Sequence, residues 1–235
     1  MLKLRDYQID AINNMKNGCI LNGGVGSGKS LTSLSYYYTE CGGSLDFVSG
    51  GKYVKMKNPK DLIIITTARK RDTLEWEGEL APFLLSVHSD VCLYDITVKV
   101  DSWNNIKKYN DVENSFFIFD EQRLVGSGEW VKSFLKISKR NRWILLSATP
   151  GDTWSDYIPV FLANKFYMSK TEFLDEHAVF KRFSKFPQIE KWIGTKKLER
   201  LRRSILIDMD FDRPTIQHHT DVIVEYDEKL SLIHI

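Results

Sequence analysis

Residues Gly23-Gly24-Val25-Gly26-Ser27-Gly28-Lys29-Ser30 gather four glycines, two hydroxyls and a lysine into eight positions. The spacing fits G-x-x-x-x-G-K-[ST], the pattern of a loop that wraps phosphate. Such a loop needs glycine because the chain must curl through positive φ and let phosphate oxygens approach backbone N–H groups. The lysine of the pattern, Lys29, reaches the outer phosphates, and the hydroxyl after it, Ser30, ligates Mg²⁺. A glycine-rich turn with a surface lysine is the plain alternative, and the flanks argue against it. CILN (19–22) reads as a short apolar strand and LTSLSYYYTE (31–40) as a helix, so a helix N-terminus would face the anion. Gly24, Gly26, Ser27, Gly28, Lys29 and Ser30 are therefore the candidate phosphate-binding residues.

A second cluster is Ser115-Phe116-Phe117-Ile118-Phe119-Asp120-Glu121. Four apolar residues deliver two carboxylates to the carboxyl end of a buried strand, where ligands bind in open α/β sheets. After a phosphate loop, Asp120 would hold Mg²⁺ and Glu121 would orient and polarise an attacking water. Alone, the pair would read as a solvated acidic turn. A weaker signal is Ser147-Ala148-Thr149 after the apolar run 143–146, two hydroxyls that could reach those carboxylates.

These groups need a scaffold, and the hydrophobic pattern supplies one. Leu4, Ile9, Ile12 and Met15 predict a helix over 3–16. Apolar runs predict strands at 62–67, 91–97, 115–120 and 143–149. Helices are expected at 69–84 and 130–138, and a hairpin about Gly50-Gly51. Strands apolar on both faces, alternating with helices, mean an α/β domain with a parallel sheet covered by helices. After about residue 165 the chain turns helical, aromatic and basic, and a Pro-broken loop and a strand follow Asp212. The expected organisation is a first domain over 1–165, a mainly helical appendage and linker over 166–220, and the start of another unit over 221–229. Residues 230–235, Leu-Ser-Leu-Ile-His-Ile, resemble the translated transposase end used in sequencing libraries and are set aside as a probable-scar segment.

Composition sets the outer limits. The 235 residues carry 33 Lys+Arg against 31 Asp+Glu, a net charge of +2, with 43% hydrophobic residues. That balance excludes a disordered chain and does not by itself announce a nucleic-acid binder. No run approaches about 18 apolar residues, so no membrane span is expected. The start MLKLRDYQID has no apolar signal core, which points to the cytoplasm. Cys19, Cys41 and Cys92 are too scattered for a disulfide frame and suit reduced thiols.

The order of the motifs resembles the first RecA-like domain of superfamily 2 helicases, with greatest likeness to the Swi/Snf-type branch and its phage-encoded relatives. LRDYQ (4–8) resembles the motif upstream of the P-loop, which assigns Arg5 and Gln8 to the nucleotide, the glutamine at the adenine edge. Gly23–Ser30 resembles motif I, TTARKRDTLEWEGE (66–79) motif Ia, DSWNNI (101–106) motif Ib, DEQR (120–123) motif II and SATP (147–150) motif III. The resemblance implies ATP and Mg²⁺ as cofactors and DNA, duplex or single strand, as partner. It makes Lys29, Asp120 and Glu121 catalytic, and Gln122, Arg123, Ser147 and Thr149 coupling residues. Thr67, Arg69, Lys70, Ser102, Trp103 and Asn104 carry the hydroxyl, basic and amide groups that phosphate backbones take. They are the candidate nucleic-acid contacts, and Arg69, Lys70 and Ser102–Asn104 are expected along one surface strip to the side of the nucleotide.

There are departures from the family pattern. The acidic box reads DEQR where DEAH is common, motif Ia lacks its usual proline, and the insertion at 41–58 is long. Nothing matches motifs V and VI, which lie on a second RecA-like lobe that supplies an arginine finger. That lobe is expected in cis. Two other readings stay open: the ATPase lobe of a phage terminase large subunit, and a nucleotide-dependent DNA-binding module without motor action. The basic run Lys196, Lys197, Arg200, Arg202 and Arg203 is expected to face solvent with ion pairs. Tyr36–Tyr38 and the phenylalanines of 166–186 are expected to pack.

Overall fold

The computed structural model describes residues 3–46, 51–120, 124, 126–183 and 186–211. Six strands form one sheet, all pairings parallel: β1 (Ile20–Asn22), β2 (Leu62–Thr66), β3 (Val98–Ser102), β4 (Phe116–Asp120), β5 (Arg142–Ser147) and β8 (Leu206–Asp208), in the order β3-β2-β4-β5-β1-β8. The fold is the expected α/β parallel-sheet class.

The residue pattern explains the layering. Every residue of β2 and β4 is buried. Successive side chains alternate between faces. Ile64, Phe116, Ile118 and Leu146 pack with Leu34, Tyr37, Trp76 and Phe83 on one side. Ile63, Ile65, Phe117, Phe119 and Trp143 pack with Phe134, Phe161, Phe173 and Leu198 on the other. The first layer is α1 (Asp6–Asn14), α2 (Lys29–Glu40) and α4 (Glu75–Leu80). The second includes α5 (Glu129–Ser138), α6 (Trp154–Ala163), α7 (Lys170–His177) and α8 (Thr195–Ile205). Tyr36, Tyr37 and Tyr38 are buried, as the packing expectation has it.

Two expectations fail. The single helix over 69–84 is two short ones, α3 (Ala68–Asp72) and α4, broken at Leu74 with φ 58° and followed by a 3₁₀ turn over Ala81–Phe83. The break leaves Leu74 exposed while Trp76 and Leu80 are buried. The apolar run 91–97 is not a strand. Val91 and Leu93 are exposed, and the edge strand forms just after it as β3, whose alternate residues are polar because one side of an edge strand is less covered. The segment after 165 is mainly helical, as expected, and holds strands as well. It contains an antiparallel pair, β6 (Ala178–Phe180) and β7 (Ile189–Trp192), and then β8, which joins the main sheet beside β1.

The phenylalanines of 166–186 divide. Phe173 is buried, but Phe183 is fully exposed and Phe186 is 70% exposed. In α8, Lys197 pairs with Glu176 at 2.7 Å and Arg202 lies 5.4 Å over the Trp154 ring, while Lys196, Arg200 and Arg203 face solvent. The insertion is pinned by an antiparallel bridge between Ser44 and Val54. Gly50 of the expected hairpin, the strand expected after residue 220, and residues 230–235 lie outside the described residues. Among the described residues, no helix is long and apolar enough to cross a membrane.

Candidate nucleotide and nucleic-acid site

In a parallel sheet all strands end on one edge, and the motifs follow those ends. The 23–30 loop leaves β1 and enters α2, with Gly28 as its cap at φ 80° and Gly26 at φ 82°. Both conformations favour glycine. A Cβ on Gly28 would lie 2.5 Å from the Gln8 Nε2, so this glycine also admits a close neighbour. Gly23 N–H donates to the Ser147 carbonyl at 3.1 Å, which ties the loop to the end of β5. The Lys29 ammonium folds onto the loop, donating to the carbonyls of Gly23 at 2.6 Å and Gly24 at 3.0 Å. Ser27 is buried, and its hydroxyl has no hydrogen-bond partner among the described residues. A buried polar group without a partner is costly. A phosphate oxygen would supply one, so this loop fits the anion its sequence predicts.

The 4–8 segment braces the loop from behind. Gln8 is buried, and its Nε2 donates to Thr32 Oγ1 at 3.3 Å and lies 3.5 Å from the Gly28 carbonyl. Its Oε1 accepts the Arg5 N–H at 2.9 Å, the capping arrangement that starts α1. Tyr7 donates to the Ser27 carbonyl at 3.0 Å. Arg5 is exposed, its guanidinium 5.7 Å over the Phe211 ring. Tyr7 was not singled out from the sequence. Only its position one residue before Gln8 hinted at a role.

Asp120 ends β4, two strands from the loop, with β5 between. Its carboxylate is buried, and its Oδ2 accepts from the Thr66 hydroxyl at 2.8 Å and from the Lys70 ammonium at 3.1 Å. Its backbone carbonyl accepts from the Trp103 indole at 2.9 Å. The hydroxyl beside this carboxylate therefore comes from β2. Ser147 Oγ accepts the Thr149 N–H at 3.1 Å and closes its own turn. Thr66 was legible as a hydroxyl at a strand end, but only the β2–β4 register puts it against Asp120. Glu121, Gln122 and Arg123 lie outside the described residues.

The candidate nucleic-acid residues part company. Arg69 and Asn104 are exposed and Thr67 is half-buried, its hydroxyl accepting the Lys70 N–H at 3.3 Å. Ser102 and Trp103 are buried. The expectation that they lie on the surface of the strip is corrected. They hold the strip from beneath, because β3 turns into a 3₁₀ segment (Trp103–Tyr109) that packs Trp103 on Phe119. Lys70 turns to Asp120. Arg71 donates to Asp101 at 3.3 Å and to Ser102 Oγ at 3.2 Å. Burial pushes the Asp101 carboxyl up, but hydrogen bonds from Asn105, the Ser102 N–H, Tyr109 and Arg71 outweigh it and hold the group below its ordinary range.

No family model matches the chain, and no curated protein matches it. Solved structures do. The Sulfolobus solfataricus SWI2/SNF2 ATPase core in complex with dsDNA is similar over 88% of this chain and 44% of that one, with TM-score 0.62 and 18% identity. The core domain of the same name and organism is similar over 88% of this chain and 43% of that one, with TM-score 0.57 and 16% identity. The chain spans under half the length of the structures it matches. It has an α/β RecA-like fold, with a parallel sheet whose carboxyl edge carries the 23–30 loop and Asp120.

Proposed function

We propose that the chain is the first motor lobe of an ATP-dependent DNA helicase or translocase of the Swi/Snf-like type, binding MgATP and the DNA backbone. The observation that carries this is the pairing, on one sheet edge, of a glycine-curled loop holding a buried, unpartnered Ser27 hydroxyl with a buried carboxylate at the end of β4. The nucleotide's magnesium supplies charge neutralisation at the phosphates. Lys29 would exchange the carbonyls of Gly23 and Gly24 for phosphate oxygens, and Ser30 and Asp120 would hold the metal. Glu121 orients the attacking water. Gln122, Arg123, Ser147 and Thr149 pass the change to a second RecA-like lobe in cis. Arg69, Asn104 and Thr67 meet the polynucleotide backbone, with Ser102 and Trp103 setting their frame. The similarity to a core in complex with dsDNA supports DNA as the partner class.

The deciding experiment is binding of a fluorescent ATP analogue to this chain with Mg²⁺ present. Saturable binding that Lys29→Ala weakens is expected. A wild-type chain that binds no nucleotide would end the proposal.

A further inference from the structure

We propose that Lys70 is the resident counter-ion of Asp120 and is displaced when metal and nucleotide bind, so that its ammonium moves to the polynucleotide strip. The inference rests on the nucleotide-binding function proposed above and adds a residue-level link from that site to the DNA side.

The Asp120 side chain is 2% exposed and that of Lys70 is 20% exposed, so the ammonium reaches inward from the surface to a buried carboxylate. A buried carboxylate without a cation is strongly disfavoured, which is why a long side chain is drawn in. The contact is made on Oδ2, shared with the Thr66 hydroxyl. A divalent ion placed at the same carboxylate supplies the charge that Lys70 supplies and repels the ammonium at short range. Only one of the two cations is needed there.

Lys70 is also the member of its helix that can leave. It sits on a single-turn helix of five residues, α3, between the exposed Arg69 and the half-buried Arg71. Arg71 is held by Asp72 at 2.7 Å and by Asp101 and Ser102, so its direction is fixed. Lysine carries its charge on a flexible four-carbon stem. Burial pushes the Glu79 carboxyl above its ordinary range, and the charge of Lys70 offsets part of that push. Released from Asp120, the ammonium joins Arg69 on the outer side of α3, and the strip gains one positive charge when the nucleotide site fills.

The test uses the 235-residue chain and a fluorescent ADP analogue, with affinity measured in Mg²⁺ and in EDTA. The readout is the ratio of the two dissociation constants, the gain that the metal provides. In Lys70→Met the ratio should rise about tenfold or more, the worth of one charge-assisted hydrogen bond that the metal no longer has to replace. Lys70→Arg, which keeps the charge, should leave the ratio near that of wild type. An unchanged or lower ratio in Lys70→Met would mean that Lys70 only braces the fold, and would overturn the inference. Wild type gives a check that needs no variant. Acetic anhydride labelling of Lys70, read by mass spectrometry, should increase severalfold when Mg²⁺ and ADP are added together, and not with either alone. Unchanged or reduced labelling overturns displacement. Loss of all nucleotide binding by wild type would remove the proposed function itself, whereas binding with an unchanged ratio and unchanged labelling removes this inference alone.

Discussion

Lys29 and Lys70 stand at the starts of two helices that follow two strands of the same sheet, and they are held in opposite ways. Lys29 rests on the carbonyls of Gly23 and Gly24, neutral acceptors of its own loop. Lys70 rests on Asp120, a buried carboxylate on a different strand. The first arrangement yields readily to a phosphate, because an anion is a stronger acceptor than a carbonyl. The second does not yield to solvent at all without leaving a charge buried. In sequence both are basic residues in strand-to-helix turns. The partners seen among the described residues differ, backbone carbonyls for one and a carboxylate for the other.

The largest effect should come from completing the site. This chain is expected to hydrolyse ATP very slowly, and fusion to a second RecA-like lobe with an arginine finger should raise turnover about 10³–10⁵-fold. Single-turnover hydrolysis with and without DNA measures it. Brisk DNA-stimulated turnover by the chain alone would show that neither lysine awaits a partner lobe.

Next in size is the stability carried by Lys70. Lys70→Met should lower unfolding free energy by about 3 kcal/mol, because it strands a buried charge. Adding Asp120→Asn should cost much less than it does in wild type, since the two act as one unit. Urea titration of the four proteins reads the coupling. Additive losses would break the contrast with Lys29.

Lys29→Ala should cost about 1 kcal/mol of stability, the net worth of hydrogen bonds to its own loop and less than the loss at Lys70, yet weaken nucleotide binding by about 1.5–3 kcal/mol, the worth of a charged hydrogen bond. If Lys29→Ala also unfolds the chain, the two lysines are more alike than their acceptors suggest. A smaller effect belongs to Arg69. Arg69→Ala should reduce the slope of log K against log salt for DNA by about 0.7–0.9, one phosphate contact. Filter binding across a salt series tests it, and an unchanged slope would place the DNA elsewhere.

The smallest effect concerns the anchor that keeps Arg71 from behaving like Lys70. The Asp101 carboxyl is held below its ordinary value against the push of burial, by Asn105, the Ser102 N–H, Tyr109 and Arg71. A depressed carboxylate adds stability at pH above its unfolded value and loses it as pH falls through the folded one. Asn105→Ala should therefore destabilise at pH 7 and cost less at a pH below the depressed folded value of Asp101, which lies under the ordinary aspartate value of about 3.9. Equal losses at both values would mean that Asn105 acts by packing.

Much of the fold was legible because its signals are local. The apolar run 62–67 and the runs into Asp120 and Ser147 can only be buried strands, and strands buried on both faces demand helices on both sides. The run 91–97 misled for a related reason. Its hydrophobic residues suggested a strand, but only tertiary packing decided that Val91 and Leu93 stay exposed while the polar-looking 98–102 segment pairs with β2. The break at Leu74 carried no Gly-Pro punctuation, so helical periodicity ran over it, whereas the β6–β7 pair had Pro187 before β7 and Gly194 after it, and the helical reading passed over both signals.

What the sequence by itself determined is the chemistry that depends on backbone. A phosphate loop works through glycine conformations and N–H groups, and both are written into eight consecutive residues. The place of Asp120 at the carboxyl end of a buried strand was equally legible, because four apolar residues precede it, whereas the burial of its carboxylate was not. What only the tertiary structure decided is the partner of each long side chain. Thr66, Lys70 and Trp103 meet Asp120 across 54, 50 and 17 positions of chain. That convergence depends on β2, β4 and the turn after β3 lying side by side. Spacing along the chain does not encode such an order, because it is set by how two layers of helices cover one twisted sheet.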